Sequence, residues 1–389
     1  MKELTNKLIE FYKNKKKKLN LSNLFLHEPI FDDLEKRYVS DCIEGGFLSS
    51  VGKKIGEFEN KIAKLCGTKY AVSTVNGTSA LHLGLKIIGV MQNDEILVPT
   101  VSFVASANSI LYEKAIPHFI DVETKNFCVD AIKLKKYLLK NTKIKKGLCY
   151  NKKSGNIIRA LMVVHVFGHA ANMKEILKLV KKFKLKLVED AAEAIGSYYN
   201  KKHLGSFGDV GILSFNGNKI ITTGGGGAVL TNRKTYALRA KKLSINSKKN
   251  HKWDYIHDEI GYNYRMPNIN AAVGLAQLVK LKSFLKNKKK LYGEYKRLFK
   301  PFKNVKLIDQ PKNAKSNFWL NAILLDSNSK IKRDAFLKKL HDNKVFVRPV
   351  WKLLHKQKYM KKFPKMNLEN SENYENRIIN LPSSASLSN

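Results

Sequence analysis

The sequence predicts an α/β protein in which a mostly parallel sheet, covered by helices, is followed by a smaller α+β C-terminal domain. Three observations predict it. From about residue 69, short apolar runs alternate with helical patterns, the signature of strand-helix-strand units that build a parallel sheet. After Gly261 this alternation gives way to one long helical period, and from about Asn304 to short strands and a further helix. At 389 residues the chain is long enough for two domains of ~100–200 residues each. The expected division is a basic N-terminal extension over 1–25, a large domain over 26–265 and a small domain over 266–389.

Taken in order, MKELTNKLIEFYKNKKKKLN carries charges where a signal peptide needs an apolar core, and reads as a polar extension, helical in part. A strand is predicted over 70–74, then a helix over 78–88 with Leu81, Leu83, Leu85 and Ile88 as its apolar positions. Residues 95–98 read as a strand, 102–111 as a helix and 116–122 as a strand. Two more buried strands follow over 161–166 and 185–189, separated by a lysine-rich helix over 173–183. DVGILSF, at 209–215, is short, apolar and partly β-branched, which fits a buried strand, and 228–230 resumes as another. Pro267 suits a first helical position, and Ala271, Ala272, Leu275, Leu278, Leu281 and Leu285 keep a helical period behind it. Strands over 305–308 and 318–325, with a helix near 333–340, complete the α+β domain.

The formal net charge of +40 raises the possibility of a nucleic-acid partner. Its distribution argues against a specific one. The excess is lysine, with nine arginines only, and it is spread over the whole chain, whereas tracking phosphates needs a focused patch with arginine and stacking aromatics. The dense runs at 13–18 and 286–290 read as solvated faces. No stretch approaches ~18 consecutive apolar residues, so no membrane span is expected and the protein reads as cytoplasmic. Cys42, Cys66, Cys128 and Cys149 are scattered, without the pairing of a zinc site, and read as reduced structural thiols with no metal.

In an open parallel sheet, ligands bind beyond the carboxyl ends of the strands. Four such ends carry suggestive chemistry. NGTSAL at 76–81 opens a helix with Gly77, Thr78 and Ser79, where free backbone amides and hydroxyls suit a phosphate; N-capping by Thr78 or Ser79 is the plainer alternative. VPTVSFVA puts Phe103 beyond a strand, where its ring could lie against another flat ring or simply pack in the core. VEDAAEA closes a strand with Asp190 and places Glu193 one helical step on; a carboxylate there needs a cationic partner or serves as an N-cap. SFNGNKIITTGGGG holds Ser214 and Lys219 between a strand and four glycines, a setting in which a desolvated amine loses its proton more easily than a free lysine at ~10.4. A phosphate cup, a stacking ring, a carboxylate for a pyridinium and a lysine able to form an imine are together the needs of pyridoxal 5'-phosphate.

With these motifs the chain resembles the sugar-nucleotide aminotransferases of the DegT/StrS type, in the fold-type I superfamily, from about residue 26 to 384. The matching stretches are SSVGKKIGEFE at Ser49, NGTSALHLGLK at Asn76, VEDAAEAIGSYY at Val188, SFNGNKIITTGGGG at Ser214, GYNYRMPNINAAVGLAQL at Gly261 and RPVWKLLH at Arg348. The resemblance implies a seven-stranded, mostly parallel sheet in the large domain. It implies Lys219 as the Schiff-base lysine and proton shuttle, Asp190 opposite the pyridine nitrogen, Phe103 on the ring and Glu193 near the phenolic oxygen. Thr78, Ser79 and Ser214 would hold the phosphate, and Asn263 would reach the phosphate of a neighbouring subunit, implying a homodimer. Arg348 and Trp351 fall in a motif near the expected substrate mouth, where Trp351 could equally be packing. The branch it looks like aminates carbon 4 of a nucleotide-linked 4-keto-6-deoxy-N-acetylhexosamine, with L-glutamate as donor, for legionaminic acid or bacillosamine-type sugars. A perosamine-like substrate is the alternative within the family. Many relatives read GEGG where this chain has residues 224–227. Two rivals are a dehydratase, whose histidine replaces the lysine, and a non-catalytic binding protein; Lys219 and Asp190 argue against both.

Overall fold

A computed structural model describes residues 2–326 and 330–388. The large sheet contains β1 (Tyr70–Thr74), β2 (Glu95–Pro99), β3 (Ile116–Ile120), β4 (Thr142–Lys145), β5 (Leu148–Asn151), β6 (Ile157–Val164) and β7 (Lys186–Asp190). The short β8 (Tyr198–Tyr199) and β9 (Lys202–His203) leave it, and β10 (Val210–Ser214) and β11 (Gly227–Thr231) rejoin it. Its seven principal strands run in the order β1-β11-β10-β7-β6-β2-β3. The pairs β10/β7, β7/β6, β6/β2 and β2/β3 are parallel, and β11 alone runs against its two neighbours. The β4-β5 hairpin attaches to β6 and brings the sheet to nine strands. Sequence periodicity did not reveal that hairpin because lysines occupy Lys143, Lys145 and Lys146 on its exposed side.

The second sheet is antiparallel, with β12 (Val305–Leu307), β14 (Asn321–Leu325), β16 (Ile378–Leu381) and β15 (Arg348–Pro349) side by side. A small third sheet joins β13 (Ala314–Lys315) to β8 and β9, and so ties the far part of the chain to the segment after β7. The strand expected over 318–325 begins at Asn321, since Phe318 has φ +50° and turns the backbone out of the extended region. The helix expected from 102 begins at Ala105, which leaves Phe103 on a loop.

One helix contributes to both cores. The helix Asn268–Phe299 places Ala271, Leu275, Leu281 and Phe284 in the large core, and Leu291, Tyr295 and Phe299 in a second core. The helix lies wholly within the segment expected as the small domain, yet its first half packs in the large core. The segment 1–25, expected as an extension, includes a helix, Lys2–Leu19, whose Leu4, Leu8, Ile9 and Tyr12 are buried in that same second core. Tyr12 and Tyr295 join hydroxyls at 2.9 Å. Burying such side chains is worth about 1.5–3 kcal/mol each, enough to dock a helix whose opposite face is lysine.

The carboxyl ends of β2, β7 and β10 open on one edge of the large sheet, and the loops beyond them converge there. Among the described residues, no helix is long and apolar enough to cross a membrane.

Candidate active site

At that edge lies a cavity of about 310 Å³. One end is made by the start of the helix Gly77–Ile87. Its N-cap is Asn76, whose Oδ1 accepts from the Ser79 amide at 2.7 Å, so neither Thr78 nor Ser79 is needed as the cap. Gly77 and Thr78 face the cavity together with Ser214 and Asn216. Ser79 is buried and does not line it. A Cβ at Gly77 would stand 2.9 Å from that of Ser214, so the close approach of the helix start to β10 requires glycine. Amide groups of a helix start, with a hydroxyl on each side, form an anion site.

The middle of the cavity has an aromatic wall and a carboxylate floor. Phe103, 55% exposed, lines it from the loop after β2. Asp190, the last residue of β7, accepts from the Ser106 hydroxyl at 2.7 Å and from the Ala192 amide at 3.2 Å. Ser106 is held in turn by Ser102, one helical turn before it, at 2.7 Å. Burial raises the Asp190 pKa, and these hydrogen bonds and the Lys219 charge oppose the rise. Neither serine drew notice in the sequence, although their spacing of four was visible.

Lys219 sits on the loop between β10 and β11, its side chain only 12% exposed. Its Nζ lies 3.7 Å from Glu193 Oε1 and 3.8 Å from the centre of the Trp319 ring. Burial lowers the Lys219 pKa, while Glu193 and Asp190 pull it back. Glu193 is pushed up to about 7, chiefly by burial, against the attraction of Lys219 and the Phe167 amide, which donates to its Oε2 at 2.8 Å. Phe167 itself has φ +57° and faces Trp351 at 5.5 Å. An amine and a carboxyl whose charged states are both destabilised by burial are equipped to exchange a proton.

Trp319 and Trp351 close the remaining side. Trp319 was not anticipated; its indole Nε1 donates to the Asn218 carbonyl at 2.8 Å, beside Lys219 in the chain. Arg348 is exposed on β15, and Asn263 is exposed in a bridge to Ile245; neither lines the cavity. In the glycine run, Gly224 has φ +80°, a Cβ on Gly226 would meet Thr223 Oγ1 at 2.1 Å, and one on Gly227 would meet the Asn76 carbonyl at 2.6 Å. Gly225 has only an ordinary 3.5 Å contact, so this position has room for a side chain.

The sequence model of the DegT/DnrJ/EryC1/StrS aminotransferase family matches residues 29–389. The chain belongs to that family. It is a pyridoxal-phosphate-dependent aminotransferase. Among its relatives, it is 36% identical to the GDP-perosamine synthase of Escherichia coli O157:H7, with 94% of each chain covered. It is 31% identical to a UDP-4-amino-4,6-dideoxy-N-acetyl-beta-L-altrosamine transaminase of Campylobacter jejuni, over 90% of this chain and 88% of that one. Among solved structures, Helicobacter pylori PseC, an aminotransferase involved in the biosynthesis of pseudoaminic acid, superposes with TM-score 0.84 at 26% identity, covering 93% and 94% of the two chains.

The aminotransferase's cavity fits the cofactor usual for its family. An anion site at the helix start, a ring wall at Phe103, a buried carboxylate at Asp190 and a buried amine at Lys219 share one space.

Proposed function

We propose that this aminotransferase moves an amino group from L-glutamate to carbon 4 of a nucleotide-linked 4-keto-6-deoxy sugar, by a ping-pong mechanism, as a homodimer. The observation that carries the reading is the Lys219 amine, held in a cavity between Glu193 and Trp319 with Asp190 on the same floor. Bound pyridoxal phosphate supplies an electrophilic carbon and an electron sink. Lys219 would attach to it and carry a proton between carbons, which requires the neutral amine that burial favours. Asp190 would keep a cation at the ring nitrogen, Phe103 would cover one face of the ring and Glu193 would serve near its phenolic oxygen. Gly77, Thr78 and Ser214 would take the phosphate, Thr78 and Ser214 through hydroxyls at the cavity wall, with Ser79, whose amide is bound to Asn76, behind them. Arg348 and Trp351 belong to the substrate end.

Dimer formation is supported by the exposure of Asn263 and of the apolar side chains on the segment before it. Trp253, Tyr255 and Ile260 are 71%, 80% and 84% exposed. Such a surface calls for a covering partner, and in a dimer Asn263 reaches the neighbour's phosphate.

Two sugars are in question. The motif resemblance favours a UDP-linked 4-keto-6-deoxy-N-acetylhexosamine of the legionaminic acid or bacillosamine type. The GDP-perosamine synthases, at 35–36% identity against 29–31% for the altrosamine transaminases, favour a GDP-linked 4-keto-6-deoxyhexose. Incubation with L-glutamate and each 4-keto sugar, with the product's configuration assigned by NMR, decides between them. Lys219→Ala should lose both the visible absorbance of the cofactor-bound protein and turnover. A mutant that keeps both removes Lys219 from the chemistry.

A further inference from the structure

We infer that Lys288 is a positioning residue for this aminotransferase: it pins the backbone of Trp319, and through the indole it fixes the wall and the loop that hold Lys219. The inference rests on Lys219 being the reacting amine.

Lys288 lies on the helix Asn268–Phe299 and is wholly buried. Its Nζ donates to the Trp319 carbonyl at 3.1 Å and to the carbonyl of Ser383. Both partners are neutral. Among the described residues its partners are carbonyls alone; burial holds the Lys288 pKa well below the ordinary lysine value, and a methionine of similar length would fill the space without the cost of burying an amine. What the lysine adds is direction: two donors aimed at two backbone segments from different parts of the chain, one of which carries the Trp319 wall.

The segment it grips needs gripping. Phe318 has φ +50°, a conformation that a bulky residue keeps only when its surroundings enforce it. Tyr292, one turn beyond Lys288 on the same helix face, stacks on the Phe318 ring at 4.1 Å. On the other side, Asn317 donates to the carbonyls of Glu193 and Ile195 and accepts from the Trp319 amide at 2.8 Å. Trp319 is thus held at its amide by Asn317, at its carbonyl by Lys288 and at its tip by Asn218. Its ring face stands 3.8 Å from Lys219 Nζ and excludes water from one side of the amine.

The charged and titratable groups around Lys219 are Asp190, Glu193 and His27. The ring nitrogens of His27 are buried without hydrogen-bond partners, and burial together with repulsion from Lys288 and Lys219 holds its pKa well below the ordinary value. Desolvation is the chief cause of the lowered Lys219 pKa. Releasing the indole should therefore let water in, raise that pKa and reduce the neutral fraction of the amine.

The test uses the ligand-free protein. Lys219 is labelled with acetic anhydride across a pH series, and its modification is read by peptide mass spectrometry. Lys288→Met should melt at or above the wild-type temperature yet label Lys219 about tenfold more slowly near neutral pH, the direction a raised pKa gives. Trp319→Ala should slow labelling similarly, and the double variant no further. Wild-type labelling in Lys288→Met overturns the inference, and so does an undiminished Lys288→Met effect in the Trp319→Ala background, which marks direct charge repulsion instead. Should Lys288→Met fail to fold, Lys288→Gln, which keeps an amide donor on a shorter side chain, should give a smaller slowing; wild-type labelling there overturns the inference equally. Labelling needs no cofactor, so an absence of sugar amination would count against the proposed function while leaving this result standing.

Discussion

Glu189 and Asp190 are neighbours at the end of one strand, yet they serve two different regions of the molecule, because successive strand residues point to opposite faces. Glu189 is wholly buried and its oxygens are fully engaged: Oε1 accepts from the amides of Phe207 and Gly208, at 2.6 and 2.7 Å, and Oε2 from the Gly205 amide and His165 Nε2, at 2.9 and 3.1 Å. Asp190 has two donors only and lines the cavity. The difference separates a carboxylate that holds a loop from one that keeps capacity for a ligand. Burial alone does not distinguish them; the number of lone pairs already occupied does.

That distinction can be broken by experiment. The largest effect should come from Glu189→Gln, which sets an amide group against three backbone donors; a loss of about 3–5 kcal/mol in urea unfolding is expected, the scale of breaking a buried charged network. Asp190→Asn should instead melt near the wild type and lose about 10²–10³-fold in kcat/KM, the scale of one preorganised electrostatic contact. If the two variants exchanged these behaviours, the assignment of roles would be reversed.

The smallest and most diagnostic effect concerns Glu193. Its folded pKa of about 7 stands above the ordinary 4.5, so the folded protein holds the extra proton between those values. Its contribution to stability is complete below about 4.5 and is lost as pH rises through about 7. Glu193→Gln should therefore flatten the fall in melting temperature across that window. An unchanged slope would show that Glu193 titrates normally, and the proton-exchange role drawn from its proximity to Lys219 would lose its support.

Much of this was legible in the sequence, for identifiable reasons. The parallel strands are apolar runs and the helices between them are periodic, so the strand ends, and with them Thr78, Phe103, Asp190, Ser214 and Lys219, could be located before the fold was known. Local patterns could not reveal what distant segments bring to the same place. Trp319 comes from a hundred residues beyond Lys219 in the chain, and nothing around it marks a ligand. Lysine abundance hid two features for the same reason. Leu4, Leu8 and Tyr12 keep a helical spacing, but the dense charge around them suggested a tail, and Lys288 lies inside a run of five basic and polar residues that suggested a solvated face. In a chain this basic, charge density at a position says little about exposure there.

The helix Asn268–Phe299 also sets a rule about length. Each residue advances a helix by ~1.5 Å and turns it by ~100°. Inserting one residue between Phe284 and Lys288 would swing Lys288, Tyr292 and Tyr295 together off their partners, while the large domain continued to hold the other end. No neighbouring loop can absorb such an error, because both cores read the same rod. Insertions should therefore be tolerated in places such as the exposed turn at 146–147, where the β4-β5 hairpin can lengthen into solvent, and be rejected throughout the rod.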